Sequence, residues 1–114
     1  MHMEKRPKYG NKKTIIDGIQ FDSKKESLWY GKLKLMVRAK EITAFSMQPE
    51  FPYSVEYSAN GKTYKVERKY IADFQVVYHD GRIEIFDIKG VRTAIYKQKK
   101  KIIEKLYGIK IIEK

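Results

Sequence analysis

The sequence predicts an α/β (α+β) fold in which a run of strands lies between an N-terminal and a C-terminal helix. Two stretches repeat their apolar residues at steps of three and four, which is typical of helices. The segment between them alternates short apolar runs with turn-forming residues, which is typical of strands. With 114 residues, the chain has the size of one domain, since single cores run to about 100–150 residues. We expect a single domain over residues 14–114.

The chain starts with a basic segment that shows no apolar period, residues 1–13. We expect a flexible arm, in which Lys12 and Lys13 are candidates for binding phosphates, although a solvated terminus has the same composition. The next residues form two short apolar runs, 14–16 and 19–21, around Asp17-Gly18. Asp-Gly between apolar runs favours a tight hairpin turn.

Both helices carry recognisable ends. Ser23 followed by Glu26 is the capping-box pattern, and it begins a helix that we expect to run to about Lys40. Its predicted buried side consists of Trp29, Tyr30, Leu33, Met36 and Val37. The second helix is expected from about Thr93 to Tyr107, with Gly108 as its C-cap. Its predicted apolar side consists of Ile95, Ile102, Ile103 and Leu106, and a closing strand follows over 109–112.

Five strands are predicted between the helices. They cover residues 42–47, 53–57, 63–66, 70–78 and 82–89, with turns at 58–61 and 79–81.

The charge of the chain favours a polyanionic partner. Lys and Arg number 25 against 14 Asp and Glu, for a net charge of +11. No apolar run approaches the roughly 18–20 residues of a membrane-spanning helix, so nucleic acid is favoured over a membrane. The absence of cysteine excludes disulfides, thiolate zinc sites and cysteine nucleophiles, and it suits a reducing cytoplasm.

Two aspartates stand inside predicted strands, where this residue is uncommon. Asp73 lies in the 70–78 run and Asp87 in the 82–89 run, and Lys89 follows Asp87 by two positions. The period of two in a strand points Asp87 and Lys89 to the same face. Each acid alone could be an edge charge or a salt-bridge partner; together they suggest a site.

The length of the loop between these strands decides whether the two acids meet. A two-residue loop, Asp80-Gly81, would place Asp73 opposite Ile88, with the aspartates on opposite faces. A three-residue loop, His79-Asp80-Gly81, would place Asp73 opposite Asp87, and Gly81 permits the left-handed conformation that this loop needs. We favour the second, which brings the carboxylates within about 5 Å, where a hard cation such as Mg²⁺ would relieve their repulsion. Glu26 shares a helix side with the apolar residues, and either a site role or the capping box explains it.

The order of these residues, Glu26, then Asp73, then Asp87-Ile88-Lys89, resembles the PD-(D/E)XK nuclease superfamily. The similarity spans 21–107 and is closest to small phage-encoded proteins regarded as Holliday-junction-resolvase-like, on the stretches 21–26, 47–49 and 70–74. Ala72 stands where the motif has Pro. The resemblance implies a restriction-endonuclease-like core, with a central mixed sheet flanked by the two helices.

The resemblance also implies a Mg²⁺-dependent DNA endonuclease, with Mn²⁺ able to substitute. Asp73 and Asp87 would bind the metal, with the Ile88 carbonyl as a further ligand and Glu26 binding directly or through water. Lys89 would orient the attacking water, and Gln48 would be an accessory residue, unless it merely ends a strand. The candidate DNA-binding residues are Arg92, Lys97, Lys99, Lys100 and Lys101, together with Lys12 and Lys13.

Three functions remain open from the sequence. The first is a homodimeric endonuclease selective for branched DNA such as a four-way junction, acting in DNA recombination in the cytoplasm of a bacterial host if the chain is encoded by a phage or prophage. The second is another nuclease of the same superfamily, of the transposon-end, restriction-like or single-strand type. The third is a basic nucleic-acid-binding module without catalysis.

Overall fold

The structure is a computed structural model and describes residues 14–88 and 93–114. The elements, in chain order, are β1 Thr14–Ile16, β2 Ile19–Phe21, α1 Lys24–Arg38, β3 Ala44–Met47, β4 Glu50–Ala59, β5 Lys62–Ile71, β6 Phe74–Val77, β7 Ile83–Asp87, α2 Ala94–Tyr107 and β8 Ile111–Glu113. The predicted α+β class is confirmed. The chain divides into two compact units, one ending at Glu41 and the other starting at Ile42. The basic arm predicted over 1–13 lies outside the described residues.

The first unit consists of the β1–β2 hairpin and α1, as predicted. Asp17 and Gly18 form the turn with positive φ values of 54° and 76°, which suits the right-handed twist of a tight hairpin. The Asp17 carboxylate accepts hydrogen bonds from the Tyr30 hydroxyl, at 2.9 Å, and from the Lys34 ammonium. Tyr30 and Leu33 are buried as predicted, whereas Val37 is exposed.

The second unit is built on a mixed four-stranded sheet in the order β3-β6-β7-β8. β3, β6 and β7 pair antiparallel, while β8 returns parallel to β7 after the chain has passed through α2. A parallel pair needs such a long connection. The closing strand was predicted over 109–112 and begins two residues later, at Ile111.

β4 and β5 form a separate two-stranded ribbon of ten residue pairs. Both strands are longer than the predicted 53–57 and 63–66, because Pro52 is tolerated in a strand whose outer edge needs no N–H donor. The predicted continuous strand 70–78 was wrong. It breaks at Ala72 and Asp73, where the chain leaves the ribbon and enters β6.

The core of the second unit joins the ribbon, α2 and the sheet. Its buried members are Tyr53, Tyr70, Ala72, Ile85, Ile103 and Ile111. The predicted apolar side of α2 was largely wrong, because Ile95, Ile102 and Leu106 are exposed and only Ile103 is buried. The helix instead contacts its surroundings through Tyr96, Lys100, Ile103 and Tyr107, a row at steps of four, three and four. Two of these residues pack against aromatic rings of the ribbon, Tyr96 against Tyr70 and Tyr107 against Phe51. Within the described ranges, no helix is long and apolar enough to cross a membrane.

Candidate functional site

The hairpin between β6 and β7 closes with the predicted three-residue loop. Gly81 adopts a φ of 87° and donates its N–H to the Tyr78 carbonyl at 3.0 Å. Tyr78 donates its own N–H to Arg82 at 2.9 Å, so these residues pair across the loop. The register continues through Phe74 opposite Phe86. The regular ladder ends at this pair, one residue before Asp73 would face Asp87. The convergence of the two carboxylates stays a prediction.

A cluster beside the loop reinforces its geometry. The Tyr78 hydroxyl donates a hydrogen bond to Glu84, and the Arg82 guanidinium lies 4.1 Å from the Tyr78 ring centroid. Burial, followed by the hydrogen bond to Glu84, raises the pKa of Tyr78 above its usual 10. The loop is therefore fastened by its side chains as well as by its backbone.

Asp73 is fixed beside the Phe86–Ile88 segment by two hydrogen bonds. Its N–H donates to the Phe86 carbonyl at 3.0 Å, and its Oδ2 accepts the N–H of Ile88 at 2.6 Å. Phe86 also pairs with Phe74. Asp73 and Phe74 therefore both face Phe86, which is the pattern of a β-bulge. Bulges aim side chains away from the regular ladder. Here the bulge places the Asp73 carboxylate against the backbone that follows Asp87.

Gln48, between β3 and β4, contacts the backbone of Asp73. Its N–H donates to the Asp73 carbonyl at 2.9 Å, and its φ of 53° lies in the left-handed region. This conformation costs about 1–2 kcal/mol for residues other than glycine. The expected accessory residue thus lies next to Asp73, and its backbone makes the contact.

Asp87 is fully buried, with an exposed fraction of 0%. Its Oδ2 accepts hydrogen bonds from the hydroxyls of Tyr70, on β5, and Tyr96, on α2; the second measures 3.1 Å. Burying a charged carboxylate is costly unless strong donors compensate. The two tyrosines provide such donors, and they were not anticipated because they lie 17 and 9 residues away in the chain.

Glu113 is a further acid that sequence reasoning missed. It pairs with Asp87 across the parallel β7–β8 ladder, and its Oε1 accepts a hydrogen bond from the Lys100 ammonium at 3.0 Å. Register partners point to the same face of a sheet. Extending the predicted closing strand by one residue would have revealed it, since Ile111 and Glu113 stand two positions apart.

The remaining candidates divide into three groups. Glu26 lies in the first unit, where its N–H donates to the Ser23 hydroxyl at 3.1 Å; this confirms Ser23 as the N-cap of α1. Lys97, Lys99 and Lys101 are exposed on α2, whereas Lys100 is held by Glu113 with 21% of its side chain exposed. Outside the described residues lie the candidates Lys12, Lys13, Lys89 and Arg92.

The donor chemistry of Asp73 and Asp87 fits a hard divalent cation, because both offer carboxylate oxygens. Asp87 ends β7, and Asp73 directly precedes β6. Mg²⁺ usually takes one or two carboxylates and completes its shell with water. Within residues 14–88 and 93–114, no group of three Asp, Glu or His side chains converges as a metal site. A third acidic or histidine ligand therefore requires rearrangement or residues outside those ranges.

The fold and these contacts define a small basic α+β protein with a tyrosine-bound, buried aspartate on its central sheet. The chain belongs to the family described as protein of unknown function (DUF1064), whose model matches residues 6–111. No curated protein and no solved structure matches it.

Proposed function

We propose that this protein is a metal-dependent DNA endonuclease that hydrolyses phosphodiester bonds, with branched DNA as its substrate and a homodimer as its active form. The observation that carries the proposal is that the Asp73 carboxylate accepts the N–H of Ile88, the residue that follows the fully buried Asp87. A buried acid is unfavourable for folding alone, so its position favours a role in chemistry. The mixed sheet, with its parallel last strand, agrees with the restriction-endonuclease-like core that the resemblance implies.

In this proposal Asp73 and Asp87 would hold Mg²⁺, with the Ile88 carbonyl as an additional ligand. The metal, when bound, lowers the pKa of water and neutralises charge that builds on the phosphate. The Ile88 N–H orients the Asp73 carboxylate, and the tyrosine hydroxyls fix that of Asp87. Lys89, two positions beyond Asp87 in the sequence, would orient the attacking water.

The positive charge of the chain supplies the affinity for DNA. Lys97, Lys99 and Lys101 are exposed along α2, where they neutralise phosphates without reading bases. Such contacts suit an enzyme that selects its substrate by shape. Cleavage of a symmetric junction also needs two active sites, which motivates the homodimer.

Cleavage of a synthetic four-way junction tests this proposal. Wild-type protein with Mg²⁺ is expected to introduce paired nicks, and EDTA to prevent them. Asp87→Asn should reduce the rate by at least about 10–100-fold, the loss that follows when even the hydrogen-bond partners of metal ligands are changed. Asp80→Asn, on the exposed loop of the same hairpin, should retain the rate. Thermal unfolding of both variants checks that they fold, and Asp73→Asn provides an independent test. Undiminished cleavage by a folded Asp87→Asn variant contradicts the proposal.

A second candidate is a nucleic-acid-binding protein without catalysis. The hydrogen bonds from Tyr70 and Tyr96 favour it, because they also explain Asp87 as a structural centre. It predicts salt-sensitive DNA binding that is independent of Mg²⁺ and persists in Asp73→Asn. Flap, duplex and single-stranded substrates are assayed beside the junction. A binding protein without catalysis cleaves none of them, whereas another nuclease of this superfamily cleaves at least one.

A further inference from the structure

The β4–β5 ribbon extends beyond the core that holds its base. Its two strands of ten residues span about 30 Å. Tyr53 and Tyr70 are buried near the base, whereas Tyr57 and Tyr64 near the tip are 50% and 41% exposed. An isolated two-stranded ribbon gains little stability from its own contacts. A long arm with uncovered rings at its end therefore suggests a binding role.

The two faces of the ribbon differ in charge. On one face the charged residues engage each other: Lys69 bonds Glu50 at 3.3 Å, Lys65 lies 3.8 Å from Glu67, and Ser54 donates to Glu67. Glu56 is the register partner of Lys65 on this face. Its three acids and two lysines leave no excess of positive charge, so this face has no attraction for a polyanion.

On the opposite face, which we call the aromatic face, all charged residues are cations. By register it contains the pairs Tyr57–Tyr64 and Val55–Val66, together with Lys62 towards the tip and Arg68 towards the base. Neither cation forms an ion pair with another part of the chain that the structure describes. This face combines uncovered aromatic rings with unneutralised positive charge.

The ring geometry selects the kind of ligand. Tyr57 and Tyr64 stack with centroids 5.3 Å apart and an interplanar angle of 21°. A cross-strand aromatic pair stabilises the ribbon, yet the outer surface of each ring remains available. Asn and Gln, which read adenine edges in a duplex groove, are absent from the aromatic face. Aromatic rings beside cations are instead the elements that bind unpaired bases and their phosphates.

We propose that the aromatic face of the ribbon binds unpaired nucleotides, with a base stacked on Tyr57 or Tyr64 and phosphates held by Lys62 and Arg68. The ligand class rests on the proposed function, for which unpaired or unstacked nucleotides mark a branch point in DNA. A second copy of this chain is the competing occupant. Its own positive charge makes it less favourable than a polyanion.

Fluorescence anisotropy with a labelled oligo(dT) single strand and a duplex of equal length tests the proposal. Measurements are made in EDTA, so that binding is independent of cleavage. The double variant Tyr57→Ala/Tyr64→Ala should bind the single strand at least tenfold more weakly and change duplex binding less than threefold, since stacking contributes substantially per base. Tyr57→Phe/Tyr64→Phe should retain binding, because the rings remain.

The matched control is Ser58→Ala/Thr63→Ala, a register pair at the same height on the opposite face, and it should leave both affinities unchanged. Equal losses for single strand and duplex, or full single-strand binding by the folded alanine variant, overturn the proposal. So does a shift from dimer to monomer in sedimentation with nucleic-acid binding intact, which would assign the face to a second copy. The two proposals have separate tests. Cleavage is tested with Asp87→Asn, and single-strand binding by the ribbon is tested in EDTA, so the failure of one is distinguishable from the failure of the other.

Discussion

The Asp73 carboxylate accepts the N–H of Ile88 at 2.6 Å, so a side chain just before β6 satisfies the backbone just after β7. Asp73→Asn retains an oxygen acceptor and should change the free energy of unfolding by about 1 kcal/mol or less. Asp73→Ala removes the acceptor and should cost about 1–3 kcal/mol. Urea denaturation measures both. Calorimetry should show that Mg²⁺ binding is lost in both variants, and equal stability losses would contradict the hydrogen bond.

The two tyrosine hydroxyls on Asp87 are expected to stabilise one buried charge jointly. Tyr70→Phe and Tyr96→Phe should each cost about 1.5–3 kcal/mol, the range for hydrogen bonds to charged groups. Because both donate to the same oxygen, the double variant should depart from additivity. A double-mutant cycle by urea denaturation measures this coupling. Tyr57→Phe, on the exposed ribbon tip, is the control, and a similar loss there would refute the assignment.

The backbone strain at Gln48 permits a test of its side chain. Gln48→Gly should raise the free energy of unfolding by up to about 1 kcal/mol, since glycine accepts a positive φ without penalty. The backbone hydrogen bond to Asp73 is retained in this variant. If the side chain assists cleavage, junction cleavage falls while the protein becomes more stable. An unchanged rate assigns Gln48 to a purely conformational role.

The lysines of α2 should separate into two kinds. A triple change of Lys97, Lys99 and Lys101 to Gln should weaken DNA binding. It should also make the plot of log K against the logarithm of the salt concentration less steep by about 2–3, if each lysine contacts one phosphate. Thermal stability should stay the same, because all three are exposed. Lys100→Gln should instead lower the unfolding temperature, since it releases Glu113. A reversed pattern would contradict this division.

The acid response of the first unit should depend on Asp17. The hydrogen bond from Lys34, followed by that from Tyr30, lowers the pKa of the Asp17 carboxyl below its usual 3.8. A carboxyl with a lowered folded-state pKa stabilises the protein above the unfolded pKa and loses that contribution as pH falls through the folded value. Asp17→Asn should therefore lower the unfolding temperature between pH 5 and 8 and converge with wild type in stronger acid. A constant difference across pH would exclude this linkage.

Local signals in the sequence predicted the elements whose ends are coded by neighbouring residues. Ser23 caps α1, Gly108 ends α2 with a φ of 65°, and Gly81 forms the three-residue loop. In each case the side chain or conformational freedom of a single residue satisfies the backbone at that point. These features need no distant partner, so a pattern of a few residues is sufficient to find them.

Features that depend on distant partners were not predicted. The 70–78 run contains no Gly or Pro, yet it breaks because Ala72 donates its N–H to Pro49 and Asp73 binds Gln48 and Phe86. The contacting row of α2 shares only Ile103 with the predicted row, because the ribbon residues Tyr70 and Phe51 pack against Tyr96 and Tyr107. The polar partners of Asp87 also come from separate elements, so only the assembled fold identifies them.

The hydroxyl of Tyr70 connects the β4–β5 ribbon to the four-stranded sheet, because it donates a hydrogen bond to Asp87 on β7. Tyr70 and Tyr64 lie on β5, six residues or about 20 Å apart. If a ligand at the ribbon tip shifts β5, it changes the hydrogen bonding of the Asp87 carboxylate through Tyr70. Any such coupling is reciprocal: whatever the occupied site does to the affinity of the ribbon, an occupied ribbon does to the affinity of the site by the same factor.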